Sequence, residues 1–382
     1  MTLRYLTAGE SHGKALVGIL EGMPAGLALS ADDVQRDLLR RKKGHGRGGR
    51  QKIEGDRVEM LSGVRRGLTL GSPIALLVAN QDFKNWEAVM GAAPSGAPSP
   101  RRVDVPRPGH ADLVGKLKYG FEDIRDVIER TSARETAMRV ALGAVARKFL
   151  ADCGVAVASR VVAIGGMEDV TALPCAVKDL NARLDADPVR CANPDASARM
   201  VARIDAAKAA GDTVGGVFEV LADGLPVGLG GYAQWDRRLE GPLTGALMSL
   251  NAIKGVEVGG GFGCAAAPGS KVHDAYEPRG KKVGYRSNRS GGLDGGMTTG
   301  QTLVLRAAMK PIATLMTPLD SVDLRTMKPA KAHIERSDAC AVPAAAVIGE
   351  ALVCLVLADA VLTKFGGDSM REILPRLRAW VR

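Results

Sequence analysis

The residues best suited to chemistry in this chain of 382 residues lie between Arg107 and Leu150, in RPGHADLVGKLKYGFEDIRDVIERTSARETAMRVALGAVARKFL. His110 stands between Gly109 and Asp112 in a Pro-Gly loop, where an imidazole titrates near neutral pH and is not needed as core filler. Downstream, Ser132 followed three residues later by Glu135 reads as a capping box. Ala137, Met138, Ala141, Leu142, Val145 and Phe149 then form one apolar stripe at helical spacing. The helix is therefore expected to be buried along one side. Its first turn offers backbone N–H groups beside the Thr131 and Ser132 hydroxyls, with Arg130 and Arg134 alongside, which is the composition of an anion site. Taken alone, the stretch also reads as a surface-loop histidine next to a surface helix.

Two further stretches carry reactive or charged groups. Arg40, Arg41, Lys42, Lys43, Arg47, Arg50 and Lys52 occur with no acid among them and hold much of the net charge of +10. Such a field favours polyanions or small, multiply charged anions. The glycines of GHGRGGRQK let backbone approach a ligand, and Arg41, Arg47 and Arg50 can each fork onto a carboxylate or phosphate. A solvated basic face and an RGG-type nucleic-acid segment are the alternatives. The RGG occurs once and without interleaved aromatics, which favours a small anion. Near the start, Gly9-Glu10-Ser11-His12-Gly13 fits the Gly-x-Ser-x-Gly pattern of a nucleophile elbow. The context argues against a serine hydrolase, because a strand-like segment follows Ser11 where the elbow requires a helix.

The elements that must position these groups follow from pattern. Arg4 to Ala8 and Ala15 to Leu20 read as strands, and Ser30 to Lys43 as a helix with Ser30 and Asp33 as its N-terminal box, Val34, Leu38 and Leu39 on its apolar side and Gly44 closing it. Two strands are expected between Arg57 and Asn80, a surface excursion at 91–108, a strand from Val155 to Ile164 and a polar helical insertion from Val170 to Ala210. Gly215 to Ala222 resembles the Pro73 to Ala79 strand, and Leu243 to Ile253 resembles the central helix, which suggests two related halves. From Gly255 the chain is glycine-rich but has no G-x-x-x-x-G-K-[ST] loop and no correctly placed G-x-G-x-x-G. Ala339 to Phe365, broken by Pro343, Glu350 and Asp359, is expected to be a buried helix and not a membrane span. No linker divides the chain, so one domain over 1–382 is expected. Its 46% hydrophobic, 4% aromatic composition predicts an aliphatic core. Six scattered cysteines without a C-x-x-C pair suggest neither a zinc site nor disulfides, and no signal-peptide segment is read at the N-terminus. A cytoplasmic protein with reduced thiols and no metal is expected.

Taken in order, TAGESHG, GRGGR, RPGHAD with KYG, RTSARET, SLNAIKGVEVG, GGLDGGMTTGQ, MKP and ERSDAC make the chain from Arg4 to about Asp359 resemble the chorismate synthases. The resemblance implies an α+β fold, a β-α-β sandwich with helices between antiparallel sheets, assembled as a homotetramer. It implies an FMN-dependent lyase of the shikimate pathway, which makes chorismate from 5-enolpyruvylshikimate 3-phosphate by anti-1,4-elimination of phosphate. The reduced FMN undergoes no net redox change. By the same resemblance Ser11, Arg41, Arg47, Arg50, Arg107, Arg134 and Arg336 contact substrate, and Arg41 and Arg47 also take nicotinamide dinucleotide phosphate. FMN falls to Arg130, Thr131, Ser132, Asn251, Ala252, Gly295, Lys310, Pro311, Ile312, Ala313, Thr314 and Arg336. Thr131 stands where the family often has serine, which keeps a hydroxyl.

His12 is implied as the acid that assists phosphate departure, His110 as the group that protonates or stabilises reduced flavin, and Asp338 as the base that draws a proton from flavin N5. Because the chain has no separate reductase domain, an external flavin reductase is expected, with NADPH as the alternative reductant. No nucleic-acid or membrane partner is expected. A basic polyanion- or nucleic-acid-binding protein is the competing class, distinguished by a steep salt slope without any flavin effect.

Arg336-Ser337-Asp338 also admits a plain role as a helix cap. Asp338→Asn separates the two, since asparagine caps a helix about as well as aspartate but cannot act as a base. Turnover by the variant is expected to fall by on the order of 10² or more with affinities held within a few-fold. Steady-state kinetics giving near-normal turnover would leave only the cap.

Overall fold

The structure, a computed structural model, describes residues 3–49, 53–94 and 99–381. Its first sheet contains β1 (Arg4–Ala8), β2 (Ala15–Glu21), β3 (Val58–Met60) and β4 (Ile74–Ala79), antiparallel in the order β1-β2-β4-β3. The second contains β5 (Ala156–Ile164), β6 (Gly216–Asp223), β7 (Ile253–Val258) and β8 (Leu303–Met309), antiparallel in the order β5-β6-β8-β7, with the short strand Met167–Glu168 beyond β5. Between the sheets lie the helices α1 (Ala31–Lys42), α2 (Thr136–Asp152), α3 (Glu240–Met248) and α4 (Val342–Phe365). Helix α2 packs on β2 and β4, α4 packs on β5 and β6, and the two helices pack on each other. The α+β sandwich with helices between antiparallel sheets is therefore the observed architecture.

Sequence dictates the inner faces. In β2 the alternating Leu16 and Leu20 are buried, while Ile19 is exposed. The stripe read on α2 is buried throughout, Phe149 and Leu142 completely, and each such side chain contributes roughly 1.5–3 kcal/mol of transfer free energy. Gly143 lets α2 and α4 touch, since a Cβ there would lie 2.4 Å from the Cβ of Ala351. Helix α4 is long and apolar enough to cross a membrane by composition, but it is packed inside the sandwich. Helix α1 starts with the expected Ser30–Asp33 box and buries Val34 and Leu38. Leu39 departs from expectation: it is half exposed, because the buried side of α1 is completed instead by Asp37, Arg40 and Arg41.

The two halves are related, but by different elements from those the sequence suggested. Both sheets have the same strand order, so β6 occupies the place of β2, and α3, which follows β6, occupies that of α1. The turns agree atom for atom. Thr69 Oγ1 donates to Pro24 O (2.6 Å) and accepts from Leu27 N (2.9 Å), while Thr298 Oγ1 donates to Pro226 O (2.6 Å) and accepts from Leu229 N (2.8 Å). Matching hydrophobic runs could not reveal this, because every core strand in the protein is an aliphatic run.

One charged cluster crosses the helical layer. The Glu350 carboxylate, on α4, is completely buried and accepts from Arg40 (2.9 Å), Arg147 (2.5 Å) and Arg190 (3.2 Å), from Ser159 Oγ (2.5 Å) and from Asn181 Nδ2 (3.0 Å). Burial alone would raise its pKa, but Arg40, Arg147 and Arg190 outweigh that and hold it well below its ordinary value of 4.5. A depressed carboxylate stabilises the fold above its unfolded-state pKa and loses that contribution as pH falls. Urea denaturation is therefore expected to show stability falling below about pH 4.5. Glu350→Ala, which leaves Arg40, Arg147 and Arg190 to share Asp37 and Asp185, is expected to cost roughly 3–5 kcal/mol at neutral pH. An unchanged denaturation midpoint in that variant would refute this role for the cluster.

Candidate active site

The hairpin turn between β1 and β2 places Ser11 and His12 over the helix Arg125–Thr131, and the chain then tightens through a 3-10 turn, Ala133–Glu135, before α2 begins. Ser132 caps that turn by accepting from Arg134 N (3.3 Å) and also accepts from Ser11 Oγ (3.0 Å). The expected capping box is incomplete: the Glu135 side chain pairs with Arg139 (2.9 Å), its i+4 neighbour. Opposite this corner, residues 249–252, 309–314 and 335–338 close a cavity of about 570 Å³.

His12 is buried, its Nδ1 lying 2.9 and 3.1 Å from the two carboxylate oxygens of Glu129. His110 Nδ1 is 2.5 Å from Asp112 Oδ1, and Arg107 forks onto the same carboxylate through Nε (2.8 Å) and Nη2 (3.0 Å). Burial would raise the Asp112 pKa, but His110 and Arg107 drive it far below the usual carboxylate range. Arg107 Nη1 also donates to Thr314 Oγ1 (2.9 Å), which ties the two walls together.

Arg134 donates to Asn80 Oδ1 (2.9 Å) and pairs with Asp56 and Glu54. Arg41 donates to Thr136 Oγ1 (3.0 Å) and Ala133 O (2.9 Å). Its pKa is lowered to about 10 chiefly by burial, against the pull of Asp56 and with Arg47 and Arg134 adding repulsion. Arg47 pairs with Asp338 (2.7 Å), whose other oxygen accepts from Gly48 N (2.6 Å). Asp338 therefore does not cap α4, whose N-cap is Ala341.

Arg130 donates to Gly9 O (3.0 Å) and Thr7 O (2.8 Å), Lys310 to Gly109 O (2.5 Å) and Arg336 to Asp82 (3.2 Å). Thr131 spends its hydroxyl hydrogen on Val127 O (2.8 Å), and Asn251 donates to Thr131 O (3.0 Å) while its Oδ1 stays buried without a hydrogen-bond partner.

The cavity thus gathers Ser11, His12, Arg41, Arg47, Arg107, His110, Arg130, Thr131, Ser132, Arg134, Asn251, Ala252, Arg336 and Asp338, together with Lys310, Pro311, Ile312, Ala313 and Thr314. Gly295 is not among them. It sits at a hairpin turn between Leu293–Asp294 and Met297–Thr298, with φ +59°. Arg50 lies outside the described residues.

A profile described as chorismate synthase matches residues 3–362. The chain belongs to the chorismate synthase family. Chorismate synthase of Moorella thermoacetica is 56% identical to it over 379 residues, 99% of this chain and 98% of that protein. Chorismate synthase of Thermobifida fusca is 53% identical over 386 residues, again 99% and 98%. A crystal structure of a chorismate synthase superposes with a TM-score of 0.79 at 41% identity, covering 100% of this chain and 98% of that one.

Glu54, Asp56, Asn80, Trp86 and Glu129 hold cavity groups in place without having been read as site residues. Glu129 directly precedes RTSARET, and Asp112 was visible only as a neighbour of His110. Trp86 left no sequence signal. The basic run is likewise consumed internally: Arg40 and Arg41 are buried, Lys42 donates to Glu54 O (2.5 Å) and Lys43 to Asp185 O (3.1 Å).

Burial separates two of these arginines. Arg134→Ala would leave Glu54 and Asp56 buried beside a lost partner, and a loss of roughly 3–5 kcal/mol is expected. The side chain of Arg336 is 57% exposed, so Arg336→Ala is expected to alter stability by about 0.5 kcal/mol or less while weakening anion binding. Thermal denaturation alongside phosphate titration checks the contrast, and equal destabilisation by the two would refute it.

Proposed function

We propose that the chain is a lyase that expels phosphate from 5-enolpyruvylshikimate 3-phosphate by 1,4-elimination to give chorismate, with reduced FMN as cofactor, in the shikimate pathway. Family membership supports the reaction. The observation that carries it to this chain is the convergence on one cavity of two histidines, one aspartate at 338 and seven guanidinium groups. A substrate with one phosphate and two carboxylates requires forked, preoriented donors in a site with little water. Arg41, Arg47, Arg107 and Arg134, all largely buried, are of that kind.

The residues present fit a flavin mononucleotide. Arg130, Lys310 and Arg336 supply positive charge, Ile312 and Ile348 an apolar wall, and the unpartnered Asn251 Oδ1 a buried acceptor. Arg130, Thr131, Ser132, Asn251, Ala252, the 310–314 segment and Arg336 would hold it. Bound in its reduced form, the cofactor lends electron density that helps expel phosphate and is recovered without net oxidation.

The protein's own part is positioning and proton transfer. His12 gives a proton to the departing phosphate, whose developing charge otherwise opposes cleavage. His110, held in place by Asp112 and Arg107, is the group that would protonate or stabilise the reduced flavin. Asp338, within reach of the cavity and held by Arg47 and Gly48, is the carboxylate available to accept the proton lost from the ring. The pairing with Arg47 holds the carboxylate in place.

Anaerobic incubation of the phosphorylated substrate is expected to release phosphate with pre-reduced FMN and not without it. His12→Ala is expected to slow that release roughly 10²- to 10⁴-fold with flavin affinity preserved. Absence of release from the unmodified protein would overturn the assignment.

A further inference from the structure

We propose that Glu129 is a positioning residue that fixes His12 as the Nδ1–H tautomer and leaves Nε2 as the only nitrogen able to exchange a proton with the cavity. The proposal rests on the reading of His12 as the proton donor. The geometry clamps the residue at two points: Glu129 Oε2 accepts from His12 N at 2.7 Å, and both oxygens lie within 3.1 Å of Nδ1. An ionised carboxylate has no hydrogen to donate, so Nδ1 must carry one. Arg125, 3.5 Å from Glu129 and 2.6 Å from Glu335, supplies the counter-charge.

Rotation of the ring is blocked separately. Trp86 stacks on the imidazole with centroids 3.7 Å apart and planes 14° from parallel. The indole is itself held, its Nε1 donating to Asp82 Oδ2 at 3.3 Å, while the Arg101 guanidinium lies 3.9 Å from the ring centroid. The imidazole therefore has neither a free torsion nor a free choice of tautomer. The His110 ring differs, because its Nδ1 faces both a carboxylate and the Arg107 guanidinium at 3.1 Å, so geometry there does not dictate which atom bears the hydrogen.

The consequence is a one-way proton path. Imidazolium His12 gives the Nε2 proton to a phosphate oxygen as the carbon–oxygen bond breaks. The N–H electron pair stays on Nε2 and the ring becomes neutral, with Nδ1–H still on Glu129, whose part is that of the orienting acid in a Ser-His-Asp triad. A freely rotating ring would spend part of its time with the transferable proton turned away from the cavity.

Histidine-selective ¹⁵N NMR on the ligand-free full chain tests this, with the His12 signals among the five histidines assigned by their loss in His12→Gln. Neutral His12 is expected as Nδ1–H in the unmodified protein. In Glu129→Gln, whose amide can present either oxygen or N–H, the Nε2–H form is expected to appear. The folded Gln variant is also expected to lose on the order of tenfold or more in kcat, short of the 10²- to 10⁴-fold of deleting a general acid, with KM within about threefold. Glu129→Asp should restore part of both signals. An Nε2–H His12 in the unmodified protein, or a folded Glu129→Gln with normal kcat, overturns the proposal. If the unmodified protein shows Nδ1–H but no elimination, the clamp stands and the assigned reaction fails.

Discussion

Seven guanidinium groups facing one cavity repel one another, and that repulsion is the constraint the structure is arranged to satisfy. At an effective dielectric of about 20, two like charges 4 Å apart oppose each other by roughly 4 kcal/mol. The fold answers with an acid for each of several arginines: Asp112 for Arg107, Asp56 and Glu54 for Arg134, Asp338 for Arg47, Asp82 for Arg336. The pairs leave the cavity positively biased while fixing each guanidinium before any anion arrives. Arg41, held by a hydroxyl, a carbonyl and Asp56, has its pKa lowered to about 10 chiefly by burial, with Arg47 and Arg134 adding to the effect.

That arrangement needs rigid supports on two sides, and the repeated architecture provides them. Each half lays four strands of the same order over its own long helix, the second sheet adding the short strand Met167–Glu168, and the helices meet where Gly143 admits Ala351. Glu350 binds α1, α2 and α4 into one unit through Arg40 and Arg147. Arg41, next along α1 from Arg40, is thereby set at a fixed height in the cavity. The first half supplies His12, six of the seven arginines and the capped turn, whereas residues 249–252, 309–314 and 335–338 of the second half, Arg336 among them, close the opposite wall.

Local sequence was sufficient wherever a short-range rule decides the outcome. The Ser30–Asp33 box, the strands at Arg4–Ala8 and Ala156–Ile164 and the buried stripe of α2 depend only on period and capping, and they stand within a residue or so of where pattern puts them. Leu39 and the Ser132–Glu135 box failed for one reason. Partners distant in sequence drew Asp37, Arg40 and Arg41 into the buried side of α1 in place of Leu39, and the i+4 ion pair with Arg139 drew Glu135 away from the box.

The sequence by itself determined the family, the aliphatic layers and most of the polar residues that line the cavity, because those residue types are intelligible one motif at a time. Only the tertiary structure decided which acid stands behind which base. Glu129 meets His12 from 117 residues away and Asp56 meets Arg134 from 78. Tertiary structure also decided that Gly295 turns a hairpin outside the cavity and that Arg40 and Arg41 of the basic run are buried. A charged side chain gains from a partner only when burial removes water from both, and burial is set by the packing of two sheets and four helices that no single motif contains.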